Sequence, residues 1–304
     1  MLNPIIIFTY RRVIDKTINS LLLNESSSRS ELFIFSDGNK NEEDLEDILK
    51  VRKHLQEIKG FKSVKIFESK DNKGLANSII NGVNKIIDKY EKVIVLEDDL
   101  IVSSDFLNYM NSALDFYEKD NKIWSISGYS PKIPSLKTYK EDLYLSPRAS
   151  SWGWATWKNR WETVDWEVKD FEKLKDDKNM IKKFELGGND LYKMLELQIL
   201  GKIDSWAIRW VFSQFTQNKY TVYPVKSKIT NDGFNDRKGT HNSGNSSKWD
   251  VEVCNIKINF IELEVNHNII KSWKNYHDLS LFTKLGYMLN KYGGYKFIKR
   301  LLNK

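Results

Sequence analysis

Three consecutive acidic residues, Glu97, Asp98 and Asp99, directly follow the short apolar run at 93–96. Such a run, β-branched and too short for a helix, is typical of a strand that is buried on both faces of a parallel sheet. The ligand crevice of an open α/β sheet lies outside the carboxyl ends of its strands, so the carboxylates are expected to face a site. Hard oxygen ligands suit Mg²⁺ or Mn²⁺ beside substrate phosphates. The pattern predicts a metal-diphosphate site; the alternative is a solvated acidic strand end before a helix.

Polar residues also follow the first two predicted strands. Residues 3–10 are predicted to form the first strand, and Arg11 and Arg12 at its end can hold phosphate by charge, together with helix N-terminal amides. Asp37 follows the second strand, predicted at 31–35, where it either accepts hydrogen bonds from a base or ribose or shapes a turn. The sequence has no G-x-G-x-x-G and no P-loop motif, so neither of these nucleotide fingerprints is present.

The elements that would position these residues alternate regularly along the chain. The predicted elements are the strands 3–10, 31–35, 64–67 and 93–96 and the helices 13–23, 42–58 and 75–87. This order of strand and helix predicts a mostly parallel sheet with helices on both faces. A further helix at 105–118 and a strand at 123–128 continue the pattern.

Tryptophan is concentrated in one segment, because five of the ten tryptophans lie within 150–166. A tryptophan ring can form a flat platform for a sugar or a nucleobase, and Trp152 and Trp154 flank a glycine, which indicates a close approach of the backbone. The alternative is that the rings form core between sheet and helix. Asp204 precedes a helix that contains Trp206, where an acid is most often a cap and can also be a general base.

The later part of the chain carries weaker signals. Residues 180–200 are predicted to be helical with an exposed break at their two glycines, a strand is predicted at 220–224, and a strand pair within 251–264. The polar loop 231–247 has the length of a lid or a linker. His241 is its obvious candidate for a metal ligand.

The composition is that of a globular protein with one charged segment. The 304 residues are enough for one large α/β domain or two ordinary ones. The net charge is +7. Residues 281–304 contain six basic residues and no acidic residue, so the remainder of the chain is nearly neutral, unlike the body of a nucleic-acid-binding protein. The single cysteine, Cys254, excludes a disulfide within the chain and a cysteine-based metal site, and the four scattered histidines offer no zinc cluster.

Two features bear on location. No run approaches about 18 apolar residues, and the first residues lack the basic and apolar regions of a signal peptide, so a cytoplasmic protein is expected. Apolar residues interleave with the cations at 281–304, so a helix there would be basic and amphipathic. Such a helix either lies on an anionic membrane surface or packs on the body.

Taken together, these motifs resemble those of GT-A type glycosyltransferases. The chain is similar to bacterial family 2 enzymes and, in its acidic triplet, to N-acetylglucosaminyltransferase I. The resemblance covers roughly residues 5–241 and rests on FTYRR, SDG, NKGLANSIINGV, VLEDDL, SWGWATWKNRW, and IDSWAIRW with the following NDGF and GTH. It implies an α/β, Rossmann-like GT-A fold with a mostly parallel sheet flanked by helices, at 1–270. The nucleotide-binding half would be 1–128, the acceptor half 129–270, and a basic helical C-terminal extension 271–304.

The resemblance also implies roles for individual residues. Asp99 would bind Mn²⁺ or Mg²⁺ directly, Asp98 would reach the ion through water, and Glu97 would contact the ribose. Asp37 would bind the uracil or another base. The other implied nucleotide-sugar ligands are Thr9, Arg11, Lys73 and Asn77.

For the acceptor side, the resemblance implies that Asp204 is the catalytic base and that His241 reaches the metal or the diphosphate from the lid. The implied sugar and acceptor platform consists of tryptophans: Trp152, Trp154 and Trp206. Related enzymes often carry the base in a different register, and Ser205 and Ala207 stand where some relatives have an acid. The assignment of the base therefore stays open.

The implied reaction is transfer of a sugar from a nucleoside-diphosphate sugar, expected to be a UDP-sugar, to a hydroxyl of a glycan or lipid-linked saccharide in bacterial surface polysaccharide synthesis. Metal and arginine would stabilise the leaving diphosphate, and a single carboxylate acting on the acceptor would give inversion. Two alternatives stay open. A sugar-phosphate nucleotidyltransferase usually carries a glycine-rich loop after the first strand, which this chain lacks, and a non-catalytic binding relative would fit Ala207 in place of an acid.

Overall fold

The central feature of the fold is an eight-stranded, mostly parallel sheet. The computed structural model describes residues 2–233, 249 and 251–279. The strands of these residues are β1 (Ile5–Thr9), β2 (Glu31–Ser36), β3 (Ser63–Glu68), β4 (Lys92–Glu97), β5 (Leu100–Val102), β6 (Ile123–Ser127), β7 (Leu143–Ser146), β8 (Trp154–Trp157), β9 (Tyr220–Pro224) and β10 (Ile229–Asn231). The large sheet has the order β3-β2-β1-β4-β8-β6-β9-β7, and β5 pairs with β10 in a separate antiparallel ladder. The predicted α/β fold is confirmed.

Helices flank the sheet on both faces. In the described ranges they are α1 (Asp15–Leu22), α2 (Leu45–Leu55), α3 (Leu75–Tyr90), α4 (Phe106–Phe116), α5 (Lys158–Trp161), α6 (Phe171–Asp176), α7 (Lys178–Phe184), α8 (Asp190–Ile199), α9 (Trp206–Thr216) and α10 (His267–His277). None of these helices is long and apolar enough to cross a bilayer. The alternation predicted through β4 is confirmed, except that residues 42–44 form a 3₁₀ turn ahead of α2.

Strands β1 and β4 show why both faces of the sheet must be covered. Alternate residues of a strand point to opposite faces, and here both sets are apolar and buried. One face joins Ile5, Ile7, Ile94 and Leu96 to residues of α1 and α4; the other joins Ile6, Phe8, Val93 and Val95 to residues of α3 and α9. A strand covered in this way has no place for charge until it leaves the sheet, which is why the acids begin at Glu97.

Strand β8 runs against its neighbours and brings the tryptophan-rich segment to the carboxyl end of β4. It pairs antiparallel with β4, and Trp154 lies opposite Val95. The pairing ends at Trp154, and Trp152 lies two residues beyond it. Gly153 has a φ of 55°, and a Cβ on it would lie 2.0 Å from a side-chain atom of β10. Glycine is therefore required for this close approach, as the sequence indicates.

Trp154 and Trp206 are core residues, so the prediction that they form a sugar platform was wrong. Their exposed fractions are 1% and 3%. The ring of Trp154 packs against Trp161, Trp206 and Trp210 at centroid distances of 5.5, 5.2 and 4.4 Å. This packing covers the ring faces that a sugar would need. Trp152, by contrast, is only half-buried.

The segment that follows the polar loop is irregular, so the strand pair predicted within 251–264 was wrong. Lys228 holds this segment instead. Its fully buried ammonium group donates to the carbonyls of Cys254 at 3.1 Å and Ile256 at 2.7 Å, and to Asp105 Oδ2 at 2.5 Å. Carbonyls that no strand ladder satisfies thus find a side-chain donor.

A buried glycine lies against helix α10. The break predicted between 180 and 200 exists between α7 and α8, but it is buried and the prediction of an exposed break was wrong. Gly188 has a φ of 122°, and a Cβ on it would lie 2.6 Å from the Cβ of His277. Next to it, the amide of Asn189 donates to Asp278 Oδ1 at 3.1 Å, and the amide of Leu279 donates to Asn189 Oδ1 at 2.7 Å. These contacts dock the C-terminal end of α10 on the turn before α8.

Two sequence predictions fall beyond these elements. His241 and the tail residues 280–304 lie outside the described residues. The boundary predicted between residues 270 and 271 falls inside α10, so the helix joins the two predicted segments.

Candidate active site

The acidic triplet lies at the carboxyl end of β4, at the turn into β5. The amide of Tyr10 donates to Asp98 Oδ2 at 3.3 Å, and Thr17 Oγ1 donates to the carbonyl of Asp98 at 3.2 Å. The side chains of Asp98 and Asp99 are 20% and 23% exposed. The turn after β1 and helix α1 thus hold the acids at an edge that solvent and ligands can reach.

Arg12 is the arginine that contacts the triplet. Its Nη1 lies 3.6 Å from Asp98 Oδ1 and 3.3 Å from Asp99 Oδ2. Arg11, which the resemblance places near the diphosphate, forms its ion pair with Asp44 instead. The structure therefore brings the second of the two arginines, and not the first, to the acids.

Thr9 shapes the turn that carries Arg12. It is buried, and its Oγ1 donates to the carbonyl of Arg12 at 3.0 Å. The hydroxyl of Tyr10 donates to Asp44, the residue that also binds Arg11. These bonds separate the two arginine side chains, because one is held toward α2 while the other faces β4.

The surroundings make full ionisation of the triplet unfavourable. Burial, followed by the charges of Asp99 and Asp98, raises the pKa of Glu97 well above its usual value. Burial and the neighbouring Asp99 raise the pKa of Asp98 to about 6, although Arg12 acts in the opposite direction. Adjacent carboxylates of this kind are stabilised when a cation lies between them.

Two residues that the sequence analysis missed, Lys16 and Asp232, complete this edge. The amide of Asp232 donates to the carbonyl of Asp99 at 2.8 Å, and Lys16 Nζ forms an ion pair with the Asp232 carboxylate. A Cβ on Gly233 would lie 2.4 Å from Asp99 Oδ2, so the chain after β10 passes directly over Asp99. These side chains and Arg12 line a cavity of about 370 Å³. The Asn-Asp-Gly turn signal after a late strand could have indicated this approach.

Asp37 lies at the same edge, with its carboxylate bound by backbone amides. Its Oδ1 accepts from the amide of Lys73 at 2.9 Å and its Oδ2 from the amide of Gly74 at 3.0 Å. These bonds tie the end of β2 to the start of α3. The amide of Gly38 also donates to Asp37 Oδ1 at 2.9 Å, and the amide of Lys73 also reaches Oδ2 at 3.2 Å, so three amides occupy most of the about four acceptor positions of this carboxylate. Lys73 and Asn77 are exposed at the rim of this turn.

Asp204 lies apart from the triplet. It is 61% exposed, and its Oδ1 accepts from Arg209 Nη2 at 3.0 Å. Ser205, and not Asp204, caps helix α9, because Ser205 Oγ accepts from the amide of Ile208 at 3.3 Å. The structure thus leaves the Asp204 carboxylate on the surface at the start of α9.

The sheet edge that carries Asp98 and Asp99, here called the acid edge, suits a divalent metal whose remaining ligands come from a substrate. Within the ranges that the structure describes, no three Asp, Glu, His or Cys side chains converge as a ready-made metal site. Asp98 and Asp99 nevertheless each direct an oxygen toward the same guanidinium group of Arg12, so both can face one cation. Mg²⁺ and Mn²⁺ commonly use one or two carboxylates together with substrate phosphates.

Solved structures and one family model are similar to this chain. No curated protein sequence matches the chain. Among solved structures, GalNAc-T7 with UDP, GalNAc and Mn²⁺ is similar at a TM-score of 0.43 and 14% identity, covering 76% of this chain and 44% of that chain. Residues 1–349 of S. aureus TarS give a TM-score of 0.43 and 12% identity, covering 77% of this chain and 61% of that chain. The chain therefore spans less than two thirds of the length of either structure.

The family comparison is more direct. The model of the GNT-I family matches residues 2–178, which is more than half of the chain. The matched part runs from β1 through α6 and contains the acidic triplet, Arg12 and Trp152, whereas α9, β10 and α10 lie outside it. The chain belongs to the GNT-I family, a family of glycosyltransferases with a GT-A-like fold.

Proposed function

We propose that the protein is a metal-dependent, inverting glycosyltransferase. It would move a sugar from a UDP-sugar to a hydroxyl group of a glycan or lipid-linked saccharide. The observation that carries the proposal is the pair Asp98 and Asp99, which both contact the guanidinium group of Arg12 at the carboxyl end of β4 in a chain of the GNT-I family.

The acid edge and its cations would stabilise the leaving diphosphate. Asp98 and Asp99 would hold Mn²⁺ or Mg²⁺, which supplies positive charge next to the diphosphate oxygens. Arg12 and Lys16 line the same cavity and add two further positive charges. Arg12 and Lys16 are each paired with carboxylate groups of that cavity. A bound diphosphate would replace these carboxylates as the partner of the two cations.

The turn at Asp37 would receive the nucleoside. Its buried carboxylate lies one strand away from the turn of Arg12, because the amide of Asp37 donates to the carbonyl of Thr9 at 3.1 Å. A base bound there would lie beside β1 and β2, with its diphosphate directed toward β4. This layout follows the ligand position that is general for open α/β sheets.

Asp204 is the proposed base. An inverting transfer needs one carboxylate that takes the proton of the acceptor hydroxyl while that oxygen attacks the anomeric carbon. Asp204 is exposed at the start of α9, where an acceptor can approach it. Release from Arg209 would be part of this role, because that arginine now neutralises the carboxylate.

For the setting of the reaction, we propose bacterial surface polysaccharide synthesis on a lipid-linked acceptor. Support comes from the six cations at 281–304, which would attract an anionic membrane surface. Deleting these residues is the test of this part, and unchanged binding to anionic vesicles would contradict it.

Thermal denaturation of the full chain with a panel of nucleoside diphosphates and their sugars, each with and without Mn²⁺, tests the central proposal. A ligand that binds only the native state raises the melting temperature. We expect a rise that requires both Mn²⁺ and a uridine nucleotide, and a product of inverted anomeric configuration once an acceptor is supplied. The absence of a shift with every nucleotide contradicts the proposal.

Arg12→Ala is expected to weaken UDP binding in the presence of Mn²⁺ by about tenfold or more. A charge-assisted hydrogen bond contributes about 1.5–3 kcal/mol, and about 1.4 kcal/mol corresponds to tenfold in affinity. Titration calorimetry measures the change. Arg11→Ala is the matched control, because it removes the same charge from a side chain that is bound to Asp44. Equal losses in the two variants would show that net charge matters and the placement of Arg12 does not.

A further inference from the structure

A second cavity, of about 230 Å³, lies between α8, α9, α10 and the segment before β8. Its walls include Trp152, Arg148, Ala207, Trp273 and His277. We propose that this cavity binds one pyranose ring of the acceptor and that helix α10 builds this acceptor subsite. The inference rests on the proposed function, because it names the place and the chemical class of that reaction's second substrate.

The order of the sheet places the cavity on the acceptor side. Along β2, β1 and β4, the proposed site runs from Asp37 to the acids Asp98 and Asp99. The next strands are β8, β6 and β9. Trp152 precedes β8, Tyr129 follows β6 and Tyr223 lies near the end of β9, so these lining residues lie at the same edge of the sheet as the acids. A donor spread over the first three strands therefore leaves its sugar at the near end of this cavity.

Aromatic rings give the cavity the character of a sugar site. Trp152 is half-buried, and the rings of Tyr129 and Trp249 pack edge-on against it at centroid distances of 4.7 and 5.9 Å. Pyranose rings combine apolar C–H faces with polar edges, which aromatic residues with a polar atom can match. Typical small-molecule sites measure about 300–1,000 Å³, so a cavity of 230 Å³ suits one ring.

Polar side chains in the cavity wall also suit a polar ligand. Arg148, Ser150 and Ser151 line the cavity together with Trp152. Guanidinium and hydroxyl groups can form hydrogen bonds with the hydroxyl groups of a sugar.

The cavity is a built site, because its walls are fixed by specific contacts. Arg148 binds Asp190 of α8 through two parallel hydrogen bonds of 2.7 and 2.9 Å. Tyr223 donates from its hydroxyl to the carbonyl of Arg148 at 2.9 Å. The close contact of Gly188 with His277 holds α10 against the same turn. Since α10 lies outside the part matched by the family model, this wall belongs to the chain's own C-terminal region.

Saturation-transfer NMR on the full chain tests the inference. The probes are the methyl glycosides of glucose, galactose, mannose, N-acetylglucosamine and N-acetylgalactosamine, each at millimolar concentration. At least one glycoside is expected to receive saturation from the wild type and from Asp99→Asn, which changes the acid edge alone. Ala207→Trp fills the cavity and is expected to abolish that signal. Leu49→Trp adds the same ring to an exposed position of α2 and is expected to retain it.

The result separates this inference from the proposed function. The rise in melting temperature with UDP and Mn²⁺ reports folding and the donor site in every variant. If that rise is present while no glycoside binds, or while binding survives Ala207→Trp, the acceptor subsite is overturned and the donor site stands. If Ala207→Trp abolishes glycoside binding but no nucleotide shifts the wild type, the cavity is a sugar site and the proposed transfer reaction fails.

Discussion

Asp99→Asn is expected to lower turnover by about 100-fold or more and to abolish the Mn²⁺-dependent rise in melting temperature. Preorganised charges at a reacting group are worth about 10²–10³ in rate, and the substitution removes one of the two carboxylates that would hold the metal. Asp115→Asn is the matched control, because Asp115 pairs with Lys92 at the opposite end of β4. A variant at Asp99 with full activity would show that the acid edge does not serve the reaction.

The same substitution is expected to change how the stability of the metal-free protein depends on pH. The folded-state pKa of Asp98, about 6, lies above the value of about 3.9 for an unfolded chain. The folded state therefore binds this proton more tightly, and stability falls as pH rises from about 4 to above 6. Without the charge of Asp99, this fall becomes smaller. Thermal denaturation in the presence of a chelator across this range measures it, and an unchanged slope would contradict the assigned repulsion.

Asp105→Ala is expected to lower the free energy of unfolding by about 3 kcal/mol. Lys228 is fully buried, and removal of the Asp105 carboxylate leaves its ammonium group with carbonyl partners and no counter-charge. Breaking a buried ion pair by removing one partner typically costs about 3–5 kcal/mol, and Asp105 is 22% exposed, which reduces the cost. Urea denaturation measures the change. Glu46→Ala breaks the exposed pair with Lys50 and is expected to leave the midpoint of urea denaturation nearly unchanged.

A second variant separates the charge from the packing. Lys228→Met in the Asp105→Ala background removes the uncompensated charge and is expected to restore much of the lost stability. If the double variant is as unstable as Asp105→Ala, the effect belongs to packing and not to the buried charge. The contact also bears on the active site, because Lys228 directly precedes β10, which carries Asp232 to the acid edge.

The sequence located the acid edge because a strand that is buried on both faces can carry charge only after it leaves the sheet. It could not choose between Arg11 and Arg12. The two residues are adjacent, and the hydrogen bonds of Thr9 and Asp44 decide which side chain faces β4. Lys16 and Asp232 were missed for a related reason. Their ion pair spans 216 positions and depends on β10 returning to β5.

The tryptophan-rich segment shows a second limit of prediction from sequence patterns. Trp152 and Trp154 are separated only by Gly153, yet Trp152 is half-buried and Trp154 lies in the core. The difference arises because β8 ends its pairing with β4 at Trp154, and helix α9 then covers that ring with Trp206 and Trp210. Composition cannot indicate where a strand stops pairing or which helix covers it. The strand pair predicted within 251–264 was wrong for a similar reason. The carbonyls of this irregular segment accept hydrogen bonds from Lys228, which lies elsewhere in the sequence.

The docking of α10 against Gly188 has a consequence for the point in synthesis at which the protein becomes competent on the ribosome. The strands next to the acids end at residue 102, and Asp232 directly follows β10. Helix α10, at 267–277, comes later in the chain than both. Because domains generally fold as units, the proposed nucleotide edge and the proposed acceptor cavity would be completed together, after α10 has been synthesised. Under this proposal, substitutions within the eleven residues of α10 would alter the acceptor cavity and leave the acid edge intact.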